Sequence, residues 1–255
     1  MGADYIKLMQ ENCCSLALPT NSIPVASMEL QKSVIEAAHE VGLLAVGHAT
    51  SVESTEILLR AGADGLTHTF IDQPPREDLV ALYQNNDAFV IPTLVVLSSL
   101  TDDNGDLREK YADVSWRQRV IDEFTRENMK ASIGLKSEAA CIEYAYDSLM
   151  MFKKHGIEVV AGTDSAAGLK GTAIGPSLWM ELDMYVNKCG FTPVEALRSA
   201  TSATATKFEF WDRGEIQPGR RADLLLVRGD PTRDISALWD DSSICGVWKQ
   251  GLRAI

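Results

Sequence analysis

The feature that most constrains this chain is an alternation: short apolar runs, each followed by a segment with helical signals. Residues 5–9 read as a strand. Residues 28–41 read as a helix, with Ser27 placed to cap its start and Gly42 to stop it. Residues 43–46 read as a short buried strand leading into Gly47-His48, and 51–61 as a helix closing at Gly62. The pattern repeats with a strand at 64–67 ending on His68, a helix at 76–84 and a strand at 88–92. Residues 116–154 are dominated by helix, broken near Gly134, and 157–161 form a strand that ends on Gly162-Thr163-Asp164. Helices over 176–188 and 193–207 each begin on proline, whose missing N–H is not needed in a first turn.

Apolar strands separated by helices imply a parallel sheet covered on both faces, hence an α/β fold. The tail differs. Gly214-Glu215-Ile216-Gln217-Pro218-Gly219 reads as a turn, and 222–227 and 244–249 as strands, the second closed by Gln250-Gly251. The expected division is a (β/α) barrel portion at 1–207 and a small β segment at 208–255.

The residues with chemistry share one address. His48, His68 and Asp164 each follow a strand directly. In an α/β barrel the C-terminal strand ends form the active-site face, so side chains from different strands converge there. Two imidazoles and a carboxylate suit zinc or a similar divalent ion. A single histidine at a strand end is ordinarily a hydrogen-bonded structural residue; three ligand-type residues at one address carry the inference. His39, inside a predicted helix, and His155, just before Gly156, read as surface or helix-end residues. Lys7 lies within the first strand. A strand lysine normally reaches for solvent. Pointing into a barrel it would be a costly buried cation, unless CO₂ converts its amine to a carbamate, an anion able to bridge two metals.

Charge and cysteine content narrow the partners. The formal net charge of −12 argues against nucleic acid or an anionic membrane and suits a protein acting on small molecules. No run approaches the ~20 apolar residues that span a bilayer. The N-terminus lacks a basic-then-apolar leader, and Ile6 stands where a myristoylation motif needs Ser or Thr. Five cysteines without metal-ligand spacing make a reducing cytosol the simplest compartment.

Six segments then resemble one family, in order along nearly the whole chain. They are Gly2-Ala3-Asp4-Tyr5-Ile6-Lys7, Val46-Gly47-His48-Ala49, residues 61–68, Ala161-Gly162-Thr163-Asp164-Ser165, residues 192–201 and residues 214–224. The chain resembles the C-terminal two-thirds of the amidohydrolase superfamily, in the branch of imidazolonepropionase-like and Xaa-Pro dipeptidase-like enzymes. The resemblance implies a TIM-barrel-type (β/α) fold with one or two divalent metals at its mouth, zinc foremost. It implies Lys7 as a carboxylated lysine on the fourth strand and His48 and His68 as ligands on the fifth and sixth. Asp164, after the eighth, would bind metal and move protons. The family's first strand carries a His-x-His pair, and no His-x-His occurs here. The expected barrel is therefore incomplete, holding the fourth to eighth strands, with open edges that invite a second copy or a complementing chain.

Two functions stay open on this reading. One is a metal-dependent hydrolase of amide or peptide-like C–N bonds in a small molecule, with Asp164 as general base. The other is a non-hydrolytic lyase, isomerase or inactive partner subunit on the same scaffold. Elsewhere, Cys13-Cys14 reads as packing in a loop near the pocket, and Glu181 and Tyr185 as packing, with Trp179 a candidate substrate wall. Thr93 and Ser98 fall where a substrate loop is expected, and residues 102–106 read as a solvated turn.

Overall fold

The computed structural model describes residues 2–240 and 243–254. In chain order the elements are β1 (Tyr5–Met9), α1 (Met28–Glu40), β2 (Leu44–His48), α2 (Val52–Ala61), β3 (Gly65–Thr67), α3 (Glu77–Asn85) and β4 (Phe89–Ile91). There follow α4 (Leu94–Thr101), α5 (Gly105–Arg117), α6 (Glu123–Lys130), α7 (Ile142–Lys154), α8 (Pro176–Asn187), α9 (Pro193–Ser199) and α10 (Ser202–Lys207). Last come β5 (Leu224–Val227), a 3-10 turn at Ile235–Leu238, β6 (Ile244–Lys249) and β7 (Leu252–Arg253). The chain forms two compact units: Met1–Asp103 with Ile133–Val160, and Asn104–Ser132 with Ala161–Ile255. Among the described residues no helix is long and apolar enough to cross a membrane.

The first unit holds a parallel sheet in the order β1-β2-β3-β4. Its register pairs Lys7 with Val46, Met9 with His48, and His48 with Thr67. Beyond β4, Val159 bridges to Val90 in parallel, through Val90 N–H to Glu158 O (3.0 Å) and Val160 N–H to Val90 O (2.9 Å). The expected strand at 157–161 is thus a one-residue bridge, because Ala161 N–H turns away to the Ser199 carbonyl (3.0 Å). Strand–helix alternation around a parallel sheet makes this a partial TIM-barrel-type fold.

Local sequence explains the elements. Ser27 and Ser51 cap α1 and α2 by accepting from Leu30 N–H and Ser54 N–H, and Gly62 ends α2 in the left-handed region at φ 98°. Two glycines let layers approach. A Cβ on Gly47 would stand 2.4 Å from the Leu58 side chain of α2, and one on Gly65 would stand 2.5 Å from the Phe89 ring on β4. Below them the Phe152 ring of α7 packs on Phe70 and on Tyr83 of α3, with centroids 6.3 and 4.7 Å away.

In the second unit, α5 meets α8 and the 3-10 turn through a Tyr111–Trp239 edge contact (5.3 Å) and a Lys110–Asp183 ion pair (3.5 Å). Thr192 and Glu195 form a reciprocal capping box on α9. β5, β6 and β7 make a three-stranded antiparallel sheet, with Gln250 and Gly251 both at positive φ in the last turn.

Three segments differ from the sequence expectation. Residues 94–101 form α4, whose run Leu-Val-Val-Leu carries no amphipathic period because the helix is buried on nearly all sides. Residues 105–117 form α5, and 131–141 carry no helix, so the expected helical stretch at 116–154 is interrupted over a wider span than Gly134. The expected helix at 193–207 is split at Ala200-Thr201, since the Ser199 carbonyl accepts Ala161 N–H and the Thr204 hydroxyl (2.6 Å).

Gly65→Ala should cost about 1–3 kcal/mol, because the Phe89 ring must leave its packed position. Urea denaturation measures this; an unchanged midpoint would show that the contact is not tight.

Candidate active site

Lys7, His48 and His68 come from three adjacent strands of the first unit. Registered partners in a parallel pair share a face, and alternate residues along a strand return to it. Lys7 is registered with Val46, so Lys7 and His48 share one face, while Gly47 faces α2. His68 follows Thr67, the partner of His48, and strict alternation would send it to the opposite face. Its backbone is left-handed instead, at φ 70°, which breaks the alternation. The His48 and His68 rings meet edge to face with centroids 4.6 Å apart.

Each ring is oriented by one nitrogen. His48 Nε2 lies 3.1 Å from Oε2 of Glu11, two residues past β1. Glu11 is buried at 5% exposure. Burial alone would raise its pKa; hydrogen bonds from His48, Thr50 and the Cys13 N–H, with the charge of His48, outweigh this and hold it below the usual carboxylate value. An ionised carboxylate only accepts, so His48 donates from Nε2, and in its neutral form the ring carries its lone pair on Nδ1. Thr50 Oγ also donates to Glu11 (2.5 Å), and Cys13 N–H reaches Oε1 at 2.6 Å.

Thr93 plays the corresponding part at His68. Its Oγ lies 2.6 Å from His68 Nδ1 and donates to the Pro92 carbonyl (2.7 Å). With that proton committed, Thr93 accepts from Nδ1–H, which puts the His68 lone pair on Nε2. His68 is buried, and desolvation, then the charges of His48 and Lys7, push its pKa well below the ordinary value. It is a neutral imidazole at physiological pH, the form that can ligate a metal.

Lys7 is exposed, so the expected penalty for a buried cation does not arise. Its charge nevertheless acts on His68. Asp164 belongs to the second unit, where it is exposed and left-handed at φ 50° in the loop after Ala161. The structure thus brings Lys7, His48 and His68 to one place, and Asp164 is described within its own unit. Among the described residues no group of three or more His, Cys, Asp or Glu side chains is gathered as a metal site.

Glu11 escaped the sequence reading, and its only signal there is an acidic residue directly after the Lys7 strand. Thr93 appeared only as a substrate-loop candidate; here it anchors a ring. His39 bonds Asp64 (2.8 Å) at the surface, and His155 ends α7. Burial and Asp72 push the Cys14 thiol up to about 11, and Cys13 is buried, consistent with packing roles.

With this geometry in view, the amidohydrolase family model matches residues 2–253. The chain belongs to the amidohydrolase family. It is 35% identical over 98 residues to imidazolonepropionase of Deinococcus deserti, covering 38% of this chain and 24% of that one. It is 23% identical over 255 residues to ochratoxinase of Aspergillus niger, covering 98% of this chain and 46% of that one. The ochratoxinase crystal structure superposes with a TM-score of 0.71 at 21% identity, over 99% of this chain and 51% of that one. A Xaa-Pro dipeptidase with methionine bound in its active site gives a TM-score of 0.68 at 25% identity, over 99% of this chain and 54% of that one. The chain therefore spans about half the length of these structural relatives, and of ochratoxinase as a curated relative, or less where the match is local.

Glu11→Ala should cost about 1–3 kcal/mol, since it leaves Thr50 and the Cys13 N–H without their buried acceptor. Chemical denaturation checks this, and a change below about 0.5 kcal/mol, the size usual for surface substitutions, would contradict a structural role for the carboxylate.

Proposed function

We propose that this chain carries the metal-binding half of a hydrolase that cleaves amide or peptide-like C–N bonds in small molecules. The tautomers of the histidine pair carry the reading: Glu11 and Thr93 hold protons on His48 Nε2 and His68 Nδ1, leaving Nδ1 of His48 and Nε2 of His68 as donor atoms. A histidine whose other nitrogen is anchored by a carboxylate or hydroxyl is the usual form of a metal ligand. Family membership and the relatives named ochratoxinase and Xaa-Pro dipeptidase support hydrolysis of an amide-type bond.

The donor chemistry fits a divalent ion, zinc foremost, held by His48 and His68. Lys7 supplies the third donor as a carbamate, formed when its neutral amine attacks CO₂ and loses a proton. Bound there, the ion supplies Lewis acidity that acidifies water and polarises a carbonyl. Asp164 takes the proton from the attacking water and returns it to the leaving amine, as general base and then general acid. His48 and His68 stay fixed because their rings are tied to Glu11 and Thr93. Asp164 is proposed as a metal ligand too, and a second ion would need donors beyond these.

One observation favours a second reading. Without a carbamate, no group of three or more His, Cys, Asp or Glu side chains is gathered as a metal site among the described residues, as expected of a non-hydrolytic or partner subunit. The other partner of this chain is proposed to be a second copy or a complementing chain. Among the described residues β1 has a neighbouring strand on one side only, and it exposes Tyr5 and Met9. The proposed compartment is the cytosol.

Metal analysis after purification with added zinc decides between the two. We expect about one ion per chain in the wild type, none in His48→Ala or His68→Ala, and loss of the ¹³CO₂-labelled carbamate signal in Lys7→Gln. Glu11→Gln should weaken metal affinity by about 10–100-fold. Equal metal in all variants would sink the hydrolase reading. A light-scattering mass equal to one chain at all concentrations would remove the second-copy proposal.

A further inference from the structure

We propose that Ser15 and Thr50 are positioning residues for His48, acting through Glu11 as a one-way chain of hydrogen bonds. The chain follows from the strand register. β1 and β2 pair with Met9 opposite His48, and the ladder continues one step further through Gln10 N–H to the His48 carbonyl (3.0 Å). Glu11 and Thr50, each two residues past those partners, therefore fall side by side in the loops beyond the strands. Thr50 Oγ lies 2.5 Å from Oε2 of Glu11, and Ser15 Oγ lies 2.5 Å from Thr50 Oγ.

Proton counting gives the direction. A hydroxyl has one hydrogen, and Thr50 donates its own to Glu11. The Thr50 oxygen can then only accept, so Ser15 donates to it. Oε2 of Glu11 thus receives both Thr50 and the Nε2–H of His48 (3.1 Å), while Oε1 takes the Cys13 N–H (2.6 Å). The order Ser15, Thr50, Glu11, His48 admits no reversal, and successive bonds in such a chain polarise one another.

Burial decides what the chain does. Ser15 is 0% and Thr50 3% exposed. The far end lies inside the protein, so the chain leads no proton to water and its work is orientation. Both hydroxyls ride on fixed backbone: the Thr50 carbonyl accepts Ile71 N–H (3.1 Å) and the Ser15 carbonyl accepts Ser137 N–H (3.1 Å). The last torsion of a glutamate is broad and does not by itself set the carboxylate plane. Here the Cys13 N–H holds one oxygen and Thr50 the other. Without the Thr50 hydroxyl, Oε2 keeps only its longer bond, the one to His48, and the ring loses a partner held in place. His68 offers the contrast, because its anchor Thr93 ends in a single step on a backbone carbonyl, that of Pro92. The role toward a metal rests on the hydrolase reading above; the orientation of His48 does not.

Nitrogen NMR of the ¹⁵N-labelled full chain, at a pH of about 9 where imidazoles are neutral, reads which nitrogen of each ring carries the proton. The chain has four histidines, so His48→Gln and His68→Gln assign the two signals. Wild-type His48 is expected in the Nε2–H form. Thr50→Val, close in shape but without a donor, should give a mixture with the Nδ1–H form at His48 and leave His68 unchanged. Thr50→Ser should restore the wild-type spectrum, and Ser15→Ala should move His48 the same way by less. Zinc affinity, read by competition with a chelating dye, should fall about 3–10-fold in Thr50→Val, less than the ~10–100-fold usual for a ligand's direct partner. Circular dichroism checks folding; should Thr50→Val not fold, Ser15→Ala decides alone. Wild-type His48 in the Nδ1–H form, an unchanged His48 signal in the folded variants, or a Thr50→Ser variant that behaves like Thr50→Val overturns the role. A wild type that takes up no zinc sinks the metal reading, and the chain still stands where the Thr50→Val tautomer shift is seen.

Discussion

Parallel, in-register pairing is the constraint on which the rest depends. Because β1, β2 and β3 run the same way and pair residue for residue, their C-terminal ends fall side by side. Lys7 and His48 share a face for that reason alone. The pairing in turn needs Gly47 and Gly65, where a Cβ would strike Leu58 or Phe89, so the residues before the two histidines are set by helix and strand packing.

On that frame the site is organised by hydrogen bonds from outside it. Glu11 is buried yet held ionised by the donors that converge on it, and it fixes the proton of His48. Thr93, itself left-handed at φ 53°, fixes the proton of His68 by committing its own to Pro92. The arrangement sets which atom of each neutral ring carries a lone pair, and the low pKa of His68 keeps that ring neutral.

Much of this was legible in the chain. Apolar runs alternating with capped helices implied the partial α/β barrel of a family member. His48 and His68 stood out as ligand types at strand ends, and the structure brings them together with Lys7. Other parts were illegible for physical reasons. The partner of Glu11 lies 37 residues away, so nothing near it in sequence distinguishes it from a surface acid. α4 is buried on nearly all sides, which erases the amphipathic period by which a helix is recognised. The split between α9 and α10 follows from a carbonyl drawn to Ala161, far away in sequence.

The sequence by itself determined the fold class, the family and the residue types at the strand ends, because hydrophobic periodicity, caps and motif order are local properties of the chain. Only the tertiary structure decided that His68 leaves the strand alternation, which ring nitrogens are protonated, and that Lys7 is exposed on the face it shares with His48. Those depend on contacts between residues distant in sequence, where burial and hydrogen-bond partners set charge and orientation.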